Sequence, residues 1–548
     1  MPTGGELIVR CLERQGVERV FCVPGESYLP VLDALRDSPI DVVVARQEGG
    51  AAMMAEADGK LTGRPGVCLV TRGPGATNAA AGVHVAKQDS TPMLLLVGQI
   101  GRGMRGREAF QEVDYRQTFR DLAKWVEEID QPERIPEILS HAVSVALSGR
   151  PGPVVLSLPE DMLRETAEAT AGPRVAAPEP APAPADAARA AGMLAQAERP
   201  IVVAGGSRWD AEAVAALRRF AASWDVPVGC SFRRQGLFDH LDPAYAGDVG
   251  LGINPKLRAR IAESDLLLLL GARFSENPSQ DFSLLGIPDP GKPVIHVHPG
   301  PEELGRIYAA ALPICATPGA FLAALAEHAP ASAPRGRAEA AHADYRAWSE
   351  PRAGGGGAGV DLGAVVAHLR EAAPEAIVTN GAGNYAIWLH RFWRWRDPQG
   401  QVAPTSGSMG YGLPAAVAVA LRRPDRLVLC FAGDGCLQMT LQELGTLAER
   451  GARVVVLVAD NGGYGTIRMH QERRYPGRVS ATGIRNPDFA ALARAYGLHA
   501  ETVTRTDAFP NAFARARESG GPALLHLLTD MEAITPATTL SALRARSG

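Results

Sequence analysis

Residues 428–439 read VLCFAGDGCLQM and residues 454–465 read VVVLVADNGGYG. Each is an apolar, β-branched run closed by a polar residue among glycines, Asp434 in the first and Asn461 in the second. Between them lies LQMTLQELGTLAERG at 437–451, which reads as one helix. Strand, helix and strand in that order make one right-handed crossover unit and bring the two strand ends close together. The runs are apolar throughout rather than alternately, which predicts parallel strands covered by helices on both faces.

The same grammar recurs along the 548 residues. The runs DVVVARQE, GVCLVTRG, PMLLLVGQ and GPVVLSLPE fall in a first block, and PIVVAGG, DVPVGCS, DLLLLLGAR and PVIHVHP in a second. EAIVTNG, RLVLCFAGDG, ARVVVLVADN and PALLHLLTD fall in a third. Each run ends in a Gly- or Pro-containing turn before an Ala-rich helical segment. Two stretches rich in Pro, Ala and Gly, at 170–192 and 329–361, read as linkers. The expectation is an α/β protein of three doubly wound parallel-sheet domains, at 1–168, 190–330 and 358–540. In such sheets ligands bind beyond the carboxyl ends of the strands, and Glu48, Arg72, Gln99, Asp434 and Asn461 all close apolar runs.

Composition narrows the function. With 46% hydrophobic and 21% charged residues and a net charge of -4, the chain has no basic excess to draw a phosphate backbone, so no nucleic-acid partner is expected. No apolar stretch is long enough for a membrane span, and the first residues lack the apolar core of a secretion signal. Seven scattered cysteines without a CxxC pair fit a reducing compartment, and a cytoplasmic location is expected.

The residues at 434 and 461 suit a hard cation. A carboxylate, an amide oxygen and a backbone carbonyl from Asn461-Gly462-Gly463-Tyr464, assigned to Gly463, form an oxygen set for Mg²⁺, which keeps its remaining positions for phosphate and water. Gly433 and Gly435 allow a phosphate to approach the backbone. From GDG to DN the segment resembles the diphosphate-binding motif of thiamine diphosphate (ThDP) enzymes, and Cys436 and Tyr464 fall inside it. The whole chain is similar to the acetohydroxyacid synthase branch of that family. The similarity runs through RQEGGAAMMAEADGKLTGRPGVCLVTRGPGATN, DSTPMLLLVGQ, EAFQE, GPVVLSLPEDM, RPIVVAGG, SGSMGYGLPAA and NPDFAALARAYG.

The resemblance implies a pyrimidine-binding first domain, a central domain and a diphosphate-binding third domain. It makes Glu48 the glutamate that holds the coenzyme's aminopyrimidine; read alone, Glu48 is equally an acid at a helix N-terminus. It implies that Met409 bends the coenzyme, where the bare sequence offers a core methionine. Gly383, Asn384 and Tyr385 match a second phosphate-contacting loop, and Gly25, Gly75 and Asn78 match loops bordering the cofactor. Phe110 and Gln111, with Lys124 following, match the acceptor pocket, Gln111 weighing more than Phe110. His84 and His470 are the histidines nearest the expected site; His84 also reads as an ordinary helix histidine, and His470 stands where the synthases carry a tryptophan that selects the second oxo acid.

RPIVVAGG and GARFSEN look like segments that hold FAD, yet His298 stands where the synthases have an acidic residue, so FAD stays uncertain beside an empty nucleotide site. The activity implied is decarboxylation of a 2-oxo acid with carboligation to a carbonyl acceptor, as in acetolactate formation. Simple decarboxylation, acyl transfer, flavin-linked oxidation and a non-catalytic regulatory homologue are the alternatives. The resemblance further implies a homodimer or homotetramer, in which Glu48 of one chain meets the diphosphate site of another.

Overall fold

The computed structural model describes residues 1–330, 336–351, 354 and 357–547. Part of the expected linker at 329–361 therefore lies outside the described residues. The first domain holds β1 (Arg19–Cys22), β2 (Asp41–Val44), β3 (Gly66–Val70), β4 (Met93–Gln99), β5 (Trp125–Glu128) and β6 (Pro153–Pro159), in the order β2-β1-β3-β4-β6-β5. The central domain holds β7 (Pro200–Ala204), β8 (Val228–Ser231), β9 (Tyr245–Val249), β10 (Leu266–Leu270), β11 (Val294–His298) and β12 (Leu312–Cys315), in the order β12-β11-β10-β7-β8-β9. The third holds β13 (Ile377–Asn380), β14 (Gln401–Val402), β15 (Val428–Gly433), β16 (Val454–Asp460), β17 (His499–Val503) and β18 (Ala523–Leu528), in the order β14-β13-β15-β16-β18-β17. All three sheets are parallel throughout, as the unbroken apolar runs require. β10, five consecutive leucines, is buried along its whole length.

Between β15 and β16 the single expected helix is interrupted. The chain forms a short helix Asp434–Gln438, a 3₁₀ turn Leu441–Glu443 and a second helix Leu444–Glu449, with Thr440 at φ -141 between the first two. The expected linker at 170–192 is likewise shorter than its composition predicts, because Pro184–Gln196 is helical, with proline where a helix start tolerates it. The helix Arg337–Trp348 falls inside the second expected linker. No helix among the described residues is long and apolar enough to cross a membrane.

The outer domains share one core. Met53 and Met54, on the helix Glu48–Thr62, belong to the same buried cluster as Leu413, Val417 and Val458 of the third domain. That helix is built of small residues because its neighbours come close: a side chain at Gly82, on the helix Pro74–Asp89, would collide with Ala52. The central domain joins the third through His240. Its Nδ1 lies 2.9 Å from the Tyr345 hydroxyl and its Nε2 3.2 Å from Gln235 O, its backbone N–H donates to Trp395 O at 3.0 Å, and its ring stacks on Tyr245 at 3.9 Å.

Burial pulls His240 down to about 3. A histidine whose pKa is depressed by folding contributes stability that is present above its unfolded value, about 6.5, and is lost as the pH falls toward the folded value. Acidification from pH 7 to 4 therefore removes about 3 kcal/mol through this one residue. Calorimetric scans across that range should show a shallower loss in His240→Gln than in the parent; equal slopes would refute the assignment.

Candidate active site

Adjacent β15 and β16 run in register from Val428 opposite Val454 to Gly433 opposite Ala459, so their ends project Asp434 and Asn461 from neighbouring positions. The two oxygens converge. The N–H of Gly463 lies 3.1 Å from Asp434 Oδ2 and 3.2 Å from Asn461 Oδ1, donating to both. Asp434 Oδ2 accepts a second bond, at 2.7 Å, from Asn486 Nδ2, which also donates to Asp460 Oδ1 at 2.7 Å. Gln438 Nε2 fixes the Asn486 oxygen at 2.8 Å, and His526 Nε2 meets Asp460 Oδ2 at 2.8 Å.

Asp434 is only 3% exposed. Burial pushes its carboxyl up to about 6, the Asn486 hydrogen bond opposes that, and the Asp460 carboxylate adds to it. Burial also acts to raise Asp460, but the His526 bond and the Gly462 and Asn486 N–H groups outweigh it and hold that acid below its ordinary range. A buried carboxylate beside an amide oxygen is the donor chemistry of a hard cation, and a cation there would relieve the cost of burying the charge. Among the described residues no group of three or more His, Cys, Asp or Glu is arranged to hold a metal, so any ion at this place depends on amide and backbone oxygens as well.

These residues border a cavity of about 250 Å³, walled by Gly383, Asn384, Tyr385, Met409, Cys436 and Tyr464 among others. Two helices begin at it, Tyr385–Phe392 and Gly465–Arg474, and neither has a side-chain cap at its N-terminus. The positive ends of two helix dipoles meet at one space, which suits a polyanion such as a diphosphate. Asn384 is tied across the cavity floor, donating to Ile534 O at 3.1 Å and accepting from Thr466 Oγ1 at 2.9 Å. Gly433 and Gly435 have a second reason to be glycine: a Cβ would lie 2.8 Å from the Tyr385 ring at the first and 2.7 Å from the Tyr464 ring at the second. Both glycines and both tyrosines still line the open cavity.

A second cluster gathers at the strand ends of the first domain. Glu48 opens its helix and accepts from Asn78 Nδ2 at 3.0 Å through Oε2, and a Cβ on Gly75 would lie 3.3 Å from Oε1. Gly25 packs on Thr71, and Gln111, left-handed at φ 65, lies against Gly73. None of these residues lines the third-domain cavity of the same chain.

Other candidates fall elsewhere. Phe110 is 73% exposed. Lys124 donates to Val145 O at 2.6 Å and Ser148 O at 2.7 Å, at the end of the helix Ile135–Leu147. His470 is exposed on the helix Gly465–Arg474, held below the usual range by partial burial and by Arg473 and Arg474. His84 is exposed and borders a different cavity, against the central domain. His298 is buried with its Nδ1 on the Gly300 backbone, and burial pulls it down to about 4.

Comparison with known proteins accords with this arrangement. Three thiamine pyrophosphate enzyme domains match in order: the N-terminal TPP binding domain at residues 2–118, the central domain at 187–325 and the C-terminal TPP binding domain at 381–527. The chain belongs to the thiamine pyrophosphate enzyme family. It is 32% identical to the acetolactate synthase isozyme 2 large subunit of Escherichia coli (strain K12), covering 96% of this chain and 95% of that one. It is 33% identical to the acetolactate synthase large subunit of Corynebacterium glutamicum, over 94% and 85%, and 32% identical to that of Parasynechococcus marenigrum, over 95% and 87%. Within the family it falls in the acetolactate synthase-like branch and is a ThDP-dependent enzyme.

Asn486, Asp460 and His526 are absent from the set read out of the sequence. NPDF at 486–489 stands within the family resemblance, but only the fold shows that its asparagine reaches back to β15 and β16. Removing that amide in Asn486→Leu leaves buried Asp434 and partly buried Asp460 without their shared donor. The expected result is a loss of about 1–3 kcal/mol in calorimetric stability of the cofactor-free protein; unchanged stability would show that the bridge carries no weight.

Proposed function

We propose that the protein decarboxylates a 2-oxo acid and joins the remaining acyl unit to a carbonyl acceptor, using ThDP and Mg²⁺. The observation that carries this reading is the shared N–H of Gly463, which aims Asp434 and Asn461 at one point beside two uncapped helix starts. Bound ThDP supplies a nucleophilic carbon and an electron sink for loss of carbon dioxide.

The chain's own residues bind, orient and exclude water. Asp434, Asn461 and the main chain at Gly463 hold the metal. Gly383, Asn384, Tyr385, Gly433, Gly435, Cys436 and Tyr464 would border the diphosphate, and Met409, half-buried on the cavity wall, would pack against the bound coenzyme. Glu48, steadied by Asn78, holds a proton on the pyrimidine side, with Gly25 and Gly75 shaping the loops around it. Gln111 faces the acceptor. His84 and His470 carry less of this reading, because both are exposed and belong to neither the Asp434 nor the Glu48 cluster.

Because the Glu48 cluster and the metal cluster do not border one cavity in a single chain, the reading requires a second copy and hence a homodimer or homotetramer. The acceptor is the less constrained part. Product analysis with pyruvate and other 2-oxo acids, with and without aldehyde or oxo-acid acceptors, separates carboligation from simple decarboxylation.

Glu48→Gln should lower turnover by about 10²-fold or more while ThDP still binds, and Asp434→Ala should abolish Mg²⁺-linked ThDP uptake in calorimetry. Mixing and reassembling the two inactive variants should restore activity, since one hybrid site keeps both clusters. Turnover retained in Glu48→Gln, or metal-independent uptake of ThDP by the parent protein, would overturn the reading.

A further inference from the structure

Arg72, two residues past β3, and Gln99, the last residue of β4, are buried polar groups at strand ends that do not line the third-domain cavity. Both reach the same segment. Gln99 Nε2 donates to Val113 O at 2.9 Å, and Arg72 Nε donates to Phe110 O at 3.3 Å. Next to Arg72, the N–H of Gly73 donates to the Tyr115 hydroxyl at 2.8 Å. The strand ends thus hold the chain at residues 110, 113 and 115, on a stretch with no helix or strand from 105 to 114.

That stretch is also folded on itself. Glu112 accepts from the N–H groups of Gly106 at 2.6 Å and Ala109 at 2.9 Å, and its own N–H donates to Ala109 O at 2.9 Å. Its tip is strained and exposed. Glu108 and Gln111 are left-handed at φ 53 and 65, and the Phe110 side chain between them stands in solvent. A left-handed glutamine is costly and persists only where its surroundings hold it, and such strain gathers at functional loops. Gly73 supplies the seat. It lies at φ 58 and ψ -112, and a Cβ there would come within 2.8 Å of the Gln111 Cβ.

Arg72 joins this loop to the surroundings of Glu48. Its guanidinium pairs with Glu160 at 3.2 Å and reaches Glu26 at 3.5 Å, Glu160 being the better shielded of the two acids. The preceding residue, Thr71, lies 2.9 Å from the Ser27 hydroxyl through its own, and packs against Gly25 and against Gly75, which borders Glu48. One turn, Thr71-Arg72-Gly73, therefore sets where Phe110 and Gln111 stand relative to Glu48. A planar guanidinium suits that task, because its fork holds a carboxylate and a carbonyl together, which an ammonium on a flexible stem does less rigidly.

We propose that Arg72 is the positioning residue of the acceptor loop: it fixes the backbone of Phe110 and Gln111 relative to Glu48 and thereby sets the affinity for the carbonyl acceptor. This rests on the carboligase reading above, in which Gln111 faces the acceptor. Arg72 acts through the Phe110 carbonyl rather than on the acceptor itself.

The test compares the full-length parent, Arg72→Met and Arg72→Lys, each saturated with ThDP and Mg²⁺, with pyruvate as donor and acetaldehyde or 2-oxobutyrate as acceptor. Arg72→Met should raise the acceptor KM at least about tenfold, while first-turnover release of carbon dioxide from pyruvate stays within about twofold of the parent. Arg72→Lys, which keeps a charge beside Glu160, should fall between. Hydrogen exchange at Gly106, Ala109 and Glu112 should quicken at least about tenfold in Arg72→Met and stay unchanged in the helix Glu48–Thr62. Faster exchange with an unchanged acceptor KM would overturn the acceptor role, and unchanged exchange would overturn the hold on the loop. First-turnover release that falls as far as the acceptor KM rises would assign Arg72 to Glu48 instead and overturn the proposal. Should Arg72→Met not fold, Arg72→Lys decides by the same readouts. A parent without turnover on pyruvate would overturn the carboligase reading itself, and the acceptor role with it.

Discussion

A strand buried on both faces admits a polar side chain away from its ends only where it finds a partner, as His526 does in β18 and His296 in β11, because an unpaired polar group within the sheet costs several kcal/mol. That constraint governs all three domains. β15 and β16 are buried almost end to end, and the chain turns polar where they stop, at Asp434 and Asp460-Asn461. β10 is all leucine, and the first charge beyond it is Arg273. Charged groups gather at the carboxyl edges because few places inside each sheet offer them partners.

Strand ends alone would leave the outer domains free to shift, and a buried charge cluster opposes that. Lys60 pairs with Glu56 at 3.2 Å and with Asp89, and donates to Ala403 O at 3.1 Å. Glu56 accepts from Thr91 at 2.6 Å and from the Tyr411 hydroxyl, and Asp89 accepts from Thr405 N at 2.7 Å. Three of these partners belong to the third domain and the remainder to the first. Burial pushes Glu56 above the ordinary carboxylate range, with Lys60 opposing it. Such a cluster adds little net stability over an apolar contact, but losing one member leaves uncompensated charge. Its effect is to penalise any other docking of the helix Glu48–Thr62, and so to fix where Glu48 stands relative to the third-domain sheet.

Much of this was legible in the sequence. The twelve apolar runs correspond to β2, β3, β4, β6, β7, β8, β10, β11, β13, β15, β16 and β18. The strands that escape notice are short or half-polar, and all lie at sheet edges except β1, which lies beside one: β5 (WVEE) is only half-buried, β12 (LPIC) alternates, and β17 (HAETV) carries a glutamate. Edge strands bury less, so the hydrophobic signal fades there. The pairing of Asp434 with Asn461 follows from chain order alone. The bridge from Asn486 does not, because it joins residues far apart in sequence through one amide, and the tyrosine rings against Gly433 and Gly435 come from separate elements. Histidines mislead for a related reason. Proximity in sequence to a motif placed His84 and His470 near the chemistry, whereas helix phase turns both outward.

The two cavities apply the same sheet-end logic with opposite polarity. At β15 and β16 the side chains that close the strands, Asp434 and Asn461, offer oxygens, and two helix starts face them across the cavity. At β7 and β10 the charged side chains at the cavity that His84 borders include Arg234 and Arg273. The difference follows from which side chains close the strands: a carboxylate and an amide in one sheet, guanidinium groups in the other.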